Sequence, residues 1–261
     1  MNRPGKDELL LAHIHHIYQQ DEENRTYGVI RIQEALEYHY GMNAGKRRLQ
    51  RIMNQNQLLQ PSKRKPNGLT KADKAAQKSD NLLRGDFTAE MPHAKVVTDI
   101  TEVPAKDGKL YISAAFDCYD QTCVGLAMDT SMKTSLVLRM LDQITTQYGT
   151  PLLIHSDRGS QYTSHAYREA LQERGIQQSM NSAGGRCHDN AKCESMWARF
   201  KEEKLYRMNT TSHTVEELKV IVFRYFMSYW NHRRICSAIG GVPPICKRQQ
   251  YWNKQNNQAV A

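Results

Sequence analysis

Cysteine is absent before Cys118, and none of the six cysteines forms a CxxC pair. Zinc-finger spacing is therefore missing. Cys118, Cys123, Cys187, Cys193, Cys236 and Cys246 fit a reduced cytosolic setting as packing thiols. No apolar run reaches the roughly eighteen residues that would suggest a membrane span. Only 8 prolines accompany 39% hydrophobic residues, a balance that argues for a folded protein over a disordered one. The start, Met1 to Lys6, leads into a segment broken by His13, His15 and His16, which makes a poor signal peptide. Acid is in short supply: 27 Asp and Glu face 36 Lys and Arg, giving a net charge of +9. That excess favours a polyanionic partner, although a merely soluble basic protein has the same balance.

What is present falls into four stretches: a module over 1–60, a basic linker over 61–90, a core over 91–206 and an extension over 207–261. In the first, Leu10, Ile14, Ile17 and Tyr18 mark one helix. Val29, Ile32, Leu36 and Tyr40 mark a second, stopped at Gly41. Asn43 can cap a third, with Leu49, Ile52 and Met53 inward and Lys46, Arg47, Arg48 and Arg51 outward. Three short helices with the cations gathered on the last suggest a helix-turn-helix that holds DNA. The plainer reading is a helical bundle with a solvated basic face. The three histidines lack nearby cysteines and are read as ordinary helix residues. Positions 44–78 hold ten basic residues and one acid, Asp73, so this tether can lie along phosphates or simply be a solubilising linker.

From Lys95 the pattern changes. Val96 to Val103, Leu110 to Phe116 and Cys123 to Met128 read as a three-strand meander. A helix follows from Thr134 to Tyr148, then a buried strand over Leu152 to Ile154. A helix from Ser164, a short strand from Ile176 to Ser179, a loop from Asn181 to His188 and a helix from Asp189 to Lys204 complete the core. The class is α/β, a mixed five-stranded sheet flanked by helices, and the order is similar to that of an RNase H-like fold. In that order the first and fourth strands are neighbours, and so are Asp99 and Asp157. Beyond the core, Thr214 to Trp230 reads as one long helix in a helical C-terminal tail. This tail packs on the core or contacts DNA or another subunit.

Candidate chemistry centres on Ile154 to Tyr162. Here a strand ends on Asp157, and Gly159 permits close backbone approach by a ligand. Asp99 and Glu194 are the other two carboxylates of a candidate metal triad, with Lys201 two turns beyond Glu194 on the same face. Three acids suit hard divalent cations such as Mg²⁺. Two such ions could activate the attacking oxygen and stabilise the leaving oxygen of a phosphoryl displacement. Asp117, at another strand end, is the strongest rival ligand. His155 is expected to point away as a structural residue.

Several motifs together carry a resemblance. They are Val97-Thr98-Asp99-Ile100-Thr101, His155-Ser156-Asp157-Arg158-Gly159-Ser160-Gln161-Tyr162, Asp189-Asn190-Ala191-Lys192-Cys193-Glu194-Ser195, and Tyr229-Trp230-Asn231-His232-Arg233-Arg234 followed by Gly241-Val242-Pro243-Pro244. Tyr27 to Ile32 and Arg48 to Met53 match in the first module. The chain resembles, over nearly its whole length, the OrfB-type transposases of bacterial insertion-sequence family three, with their retroviral-integrase-like DDE core. The resemblance implies a Mg²⁺-dependent DNA transposase that cuts at element ends and joins strands through a 3′-OH. Asp99, Asp157 and Glu194 would hold two Mg²⁺ ions, with Mn²⁺ as a substitute. Expected DNA contacts are Lys201, Asn190, Gly159, Gln161, Tyr162 and the four cations of the third helix.

The resemblance also implies a homo-oligomer on DNA, an OrfA product as partner or fusion, and a cytoplasmic, nucleoid-associated location. Thirty-six residues separate Asp157 from Glu194, one more than the family usually keeps, and the extra one falls within Ala183 to Cys187. A catalytically silent DNA-binding remnant and an RNase H-type nuclease are the alternatives.

Overall fold

The computed structural model describes residues 5–61, 79–182 and 189–260. Most of the linker and the loop over 183–188, including the extra residue, lie outside the described residues.

Three helices open the chain: α1 (Lys6–Gln20), α2 (Val29–Tyr40) and α3 (Lys46–Gln55). Their stripes close on one another, with Ile14, Ile17, Ile32, Leu36, Leu49 and Met53 fully or nearly fully buried. Gly41 ends α2 at φ +61°, a left-handed conformation that needs no Cβ penalty when the residue is glycine. The third helix is capped by Gly45, not by Asn43 as the sequence suggested. Ile235, from the far end of the chain, enters this same core.

The sheet has the order β3-β2-β1-β4-β5. Its strands are β1 (Lys95–Ala105), β2 (Gly108–Asp117), β3 (Cys123–Asp129), β4 (Leu153–Ser156) and β5 (Gln177–Met180). The first three pair antiparallel, while β4 lies parallel to both β1 and β5. Leu152, expected inside the fourth strand, is instead exposed just before it.

Helices cover both faces. On one side α4 (Thr134–Gln147), α5 (Ser160–Thr163) and α6 (His165–Glu173) pack Leu136, Met140, Ile144, Tyr162 and Leu171 against Val96, Ala115 and Val124. On the other, α7 (Ala191–Glu203) and α8 (Val215–Phe223) pack Cys193, Trp197, Phe200 and Val222 against Val97, Ala114 and Phe116. The strands are buried on both faces there, which explains their continuous rather than alternating hydrophobicity.

The long helix expected over 214–230 divides into two windings. Past Phe223 it becomes π-helical from Arg224 to Trp230, the rarer winding with i→i+5 bonds. Tyr225, Phe226, Tyr229 and Trp230 are all buried there; Tyr225, Phe226 and Trp230 meet Phe116, Trp197 or Phe200 edge-on or tilted, and Tyr229 meets Tyr225. A further helix, α9 (Pro244–Val260), was not foreseen in detail. Its Arg248 is buried and bonds Asp117 at 2.8 Å and Asp120 at 2.7 Å. Among the described residues, no helix is long and apolar enough to cross a membrane.

Candidate active site

Strand pairing builds the site. Val97 of β1 stands opposite His155 of β4. Asp99 lies two residues further along β1 and Asp157 just past the end of β4, so the parallel pairing brings two distant carboxylates close enough to act on each other. Asp99 shares its strand face with Val97, the face covered by α7. Burial is the largest influence on Asp99, the neighbouring Asp157 charge the next, and together they push its carboxyl up to about 7. Glu194 adds to the rise, while the Ile100 amide and Lys201 oppose it. Asp157 is also raised, chiefly by burial, with the Gly159 amide pulling the other way.

Each aspartate is held by one oxygen. The Ile100 N–H donates to Asp99 Oδ1 at 2.8 Å, and the Gly159 N–H donates to Asp157 Oδ1 at 2.9 Å. These bonds orient the two carboxylates and leave Oδ2 of each without a hydrogen bond among the described residues. The reason for glycine at 159 also emerges. A Cβ there would stand 3.1 Å from both Asp157 Oδ1 and Gln161 Oε1, so a side chain would press on the carboxylate.

Glu194 sits in the first turn of α7, exposed beside the buried Cys193, Met196 and Trp197. The sequence leads to three converging carboxylates, with Glu194 the most displaced of them when no metal is bound. The structure brings two together and leaves the third at the rim. Among the described residues no three acidic, histidine or cysteine side chains form a ready-made metal cluster. A third like charge beside a half-buried pair is repelled unless a cation stands between them, so the exposed rim is where an uncompensated glutamate has the lower energy. Lys201 lies on the same helix and acts on Asp99 electrostatically.

Other candidates divide by burial. Tyr162 is 1% and Asn190 3% exposed, so neither is placed at the surface where DNA would pass. The Tyr162 hydroxyl meets Thr98 Oγ1 at 3.2 Å, beneath β1. Asn190 precedes α7 and donates from Nδ2 to the Thr98 carbonyl at 3.3 Å, tying the helix start to the strand beside Asp99. Gln161 is also buried, donating to the Met132 carbonyl at 2.8 Å. Each was expected as a DNA contact, and each is buried with a polar group bonded inside the protein.

Asp117 is no competitor for the site. It lies opposite Val96, three pairs along the β1–β2 ladder from Asp99, an odd offset that turns it to the other face of the sheet, and it is tied to Arg248 and the His93 amide. His155 is fully buried, bonding Ser179 Oγ at 2.8 Å and Asn181 Oδ1 at 3.0 Å. Burial holds its imidazole below the usual range, as suits a neutral structural residue.

In the first module, Lys46 and Arg47 are exposed. Arg48 and Arg51 both reach back to Asp7 of α1, at 2.7 and 2.5 Å. Half of the expected basic patch is therefore already engaged by an acid.

Comparison with known proteins agrees with this layout. A model of an HTH-like domain matches residues 5–66, and two models of an integrase core domain match 89–185 and 174–244. The putative transposase InsK for insertion sequence element IS150 of Escherichia coli K12 is 33% identical over 254 residues, covering 96% of this chain and 86% of its own. The chain belongs to the insertion-sequence transposases with an integrase core.

A second relative in that family, the probable transposase for insertion sequence element IS1353 of Shigella flexneri, is 34% identical over 228 residues. The match covers 86% of this chain but 44% of that longer protein. Among solved structures, the simian T-cell lymphotropic virus intasome in complex with PP2A regulatory subunit B56 gamma aligns over 83% of this chain and 70% of its own. Its TM-score of 0.53 at 15% identity is a likeness of fold.

One group was missed in the sequence. Glu203, Arg31, Arg234 and Tyr225 form a buried polar cluster between the first module, α7 and the tail. Arg234 belonged to a quoted motif, but nothing in the pattern named its partner 31 residues earlier.

Proposed function

We propose that this transposase is a metal-dependent polynucleotidyl transferase that cuts DNA at insertion-sequence ends and joins strands. The observation that carries this reading is the Asp99–Asp157 pair, two half-buried carboxylates each with one oxygen held by a backbone amide and the other without a hydrogen bond among the described residues. Hard oxygen donors of this kind fit Mg²⁺, with Mn²⁺ as a substitute. Asp99, Asp157 and Glu194 would hold the ions, Glu194 moving in from the rim as cation charge offsets the repulsion. When bound, two such ions supply activation of the attacking oxygen and stabilisation of the leaving oxygen in an in-line displacement.

The protein's own part is positioning. The Ile100 and Gly159 amides fix the two aspartates. Lys201 sits on the Glu194 side of α7 and is assigned to a phosphate at the DNA end. Lys46, Arg47, Arg48 and Arg51 are assigned to the duplex, the last two by exchanging Asp7 for phosphate.

The chemistry has two steps. Water attacks a phosphodiester at the element end, a P–O bond forms and another breaks, leaving a free 3′-OH. That hydroxyl attacks a second phosphodiester, forming a new strand junction and releasing the displaced strand end. No covalent protein intermediate is needed. Work on two element ends would call for a homo-oligomer. An OrfA-derived part is the expected partner for end recognition.

The test is single-turnover cleavage and joining on duplexes copied from the ends of the encoding element, with Mg²⁺, for wild type and Asp157→Asn. Activity in wild type alone supports the reading. Cleavage without joining would favour a simple nuclease. Binding without chemistry, even with an OrfA product added, would favour a silent remnant.

A further inference from the structure

The helix α7 carries Glu194 near its start and Glu203 at its end. Nine residues at about 100° each turn the helix through roughly two and a half turns, so the two glutamates project from opposite edges about 13 Å apart along the axis. Between those edges, Cys193, Met196, Trp197 and Phe200 face the sheet. A helix seated only on an apolar seam can roll about it, because dispersion contacts have little directionality. Rolling would move Glu194 directly.

Glu203 opposes that motion. It is 3% exposed and accepts four hydrogen bonds from three residues. Arg234 Nε donates to Oε2 at 2.9 Å and Nη2 to Oε1 at 2.7 Å, a two-pronged pair. Arg31 Nη1 of α2 donates to Oε1 at 2.8 Å, and the Tyr225 hydroxyl to Oε2 at 2.9 Å. The surroundings lock these donors in turn. Arg234 lies over the Trp230 ring at 4.4 Å, and Arg31 over the Tyr27 ring at 5.1 Å. Tyr27 accepts the Ile235 N–H at 2.9 Å, and the Tyr229 hydroxyl donates to Asn24 at 3.1 Å. Next along the chain, Lys204 bonds Glu22 and Glu23. At the other end of α7, Asn190 is tied to Thr98 of β1. The helix is thus pinned to the sheet at its start and to the first module at its end.

We propose that Glu203 is a positioning residue for Glu194, and that through Arg31 it fixes the setting of α7 to the helix-turn-helix module, so that the module's seat on DNA and the glutamate's approach to the two aspartates are coupled. This rests on the transposase reading above. Glu203 touches no DNA or metal and acts through the helix alone.

The test uses the full chain. Arg31→Met removes the tie between α2 and Glu203 while Arg234 still pairs Glu203 and Lys204 keeps its bonds to Glu22 and Glu23. Tyr225→Phe, nearly the same shape, loosens Glu203 without removing a charge and serves if the first variant does not fold. Arg31→Lys is the rescue. Two quantities are read in each: the Mg²⁺ concentration that gives half of the maximal thermal shift without DNA, and single-turnover joining at saturating end duplex.

The expected result for Arg31→Met is cooperative unfolding and duplex affinity within about twofold of wild type, with a several-fold higher Mg²⁺ midpoint and about tenfold slower joining. Arg31→Lys should recover part of both. A folded Arg31→Met or Tyr225→Phe with wild-type midpoint and wild-type joining overturns the inference alone. So does an Arg31→Met whose only defect is weaker duplex binding. A wild-type protein showing neither Mg²⁺ shift nor joining overturns the transposase chemistry and the inference together.

Discussion

Asp99 and Asp157 stand side by side because β1 and β4 run parallel with Val97 opposite His155. Burial first, and the neighbouring Asp157 charge second, raise the Asp99 carboxyl from 3.8 to about 7. A carboxyl with a raised folded pKa binds more protons folded than unfolded, so stability falls as pH rises between those two values. Metal-free protein should therefore lose thermal stability from about pH 4 to pH 7 at this site, and Mg²⁺ should restore it. Melting curves over that range with and without Mg²⁺ check this; an Mg²⁺ effect equal at both ends of the range would contradict it.

Asp157→Asn removes one charge of the pair and keeps its shape. The metal-free variant should melt higher than wild type at pH 8, while strand joining falls by at least about a thousandfold, in line with loss of a central electrostatic element. Gain of stability with loss of chemistry is the signature to look for. A variant that melts lower and still joins strands would remove Asp157 from the site.

Burial opposes ionisation of Glu203, but Arg234 and Arg31 more than offset it and hold its carboxyl at about 2. For a depressed carboxyl, stability is fully present above the unfolded value of 4.5 and is lost as pH falls toward about 2. Removing a partner leaves a buried charge with less compensation. Arg234→Met should cost about 3–5 kcal/mol, and its acid denaturation should lose the component between those pH values. Urea titrations at pH 7 and pH 3 measure both.

Gly125 lies where β3 meets α4. A Cβ there would stand 2.8 Å from Ile144 Cγ1 and 2.9 Å from the Met140 carbonyl oxygen. Backbone cannot move aside as a side-chain tip can, so Gly125→Ala should destabilise by about 1–3 kcal/mol. Chemical denaturation checks this, and Gly28→Ala, with nothing within 4 Å of the new Cβ, is the control.

In the first module Asp7 occupies Arg48 and Arg51. Asp7→Asn should strengthen binding to any duplex and steepen its salt dependence, because two cations no longer exchange an acid for phosphate. Lys46→Ala should weaken binding across sequences and reduce the salt slope by about one. Fluorescence anisotropy over a salt series reads both slopes; an unchanged slope in the two variants would take α3 away from the phosphates.

Much of this was legible in the sequence because it depends on local periodicity. The stripes of α1, α2 and α4 follow the 3.6-residue repeat, and Gly41 marked a helix end because only its left-handed turn required glycine there. The strand order was legible too, because three meander strands followed by alternating helix and strand are similar to the order of an RNase H-like fold. Boundaries were less so. Gly45 rather than Asn43 precedes α3, and Leu152 is exposed, because capping and burial depend on what lies across the turn.

Within the site, the likeness of the element order to an RNase H-like fold already implied that Asp99 and Asp157 are neighbours, and the β1–β4 register agrees. The sequence by itself determined that Glu194 and Lys201 share a helix edge. Only the tertiary structure decided that Tyr162, Gln161 and Asn190 are buried and bonded within the protein. It alone disclosed that Glu203 draws Arg31 and Arg234 into one buried cluster. Those partners are 172 and 31 residues away. A buried charge selects whichever opposite charge the folded packing brings within reach, and no spacing rule along the chain encodes that distance.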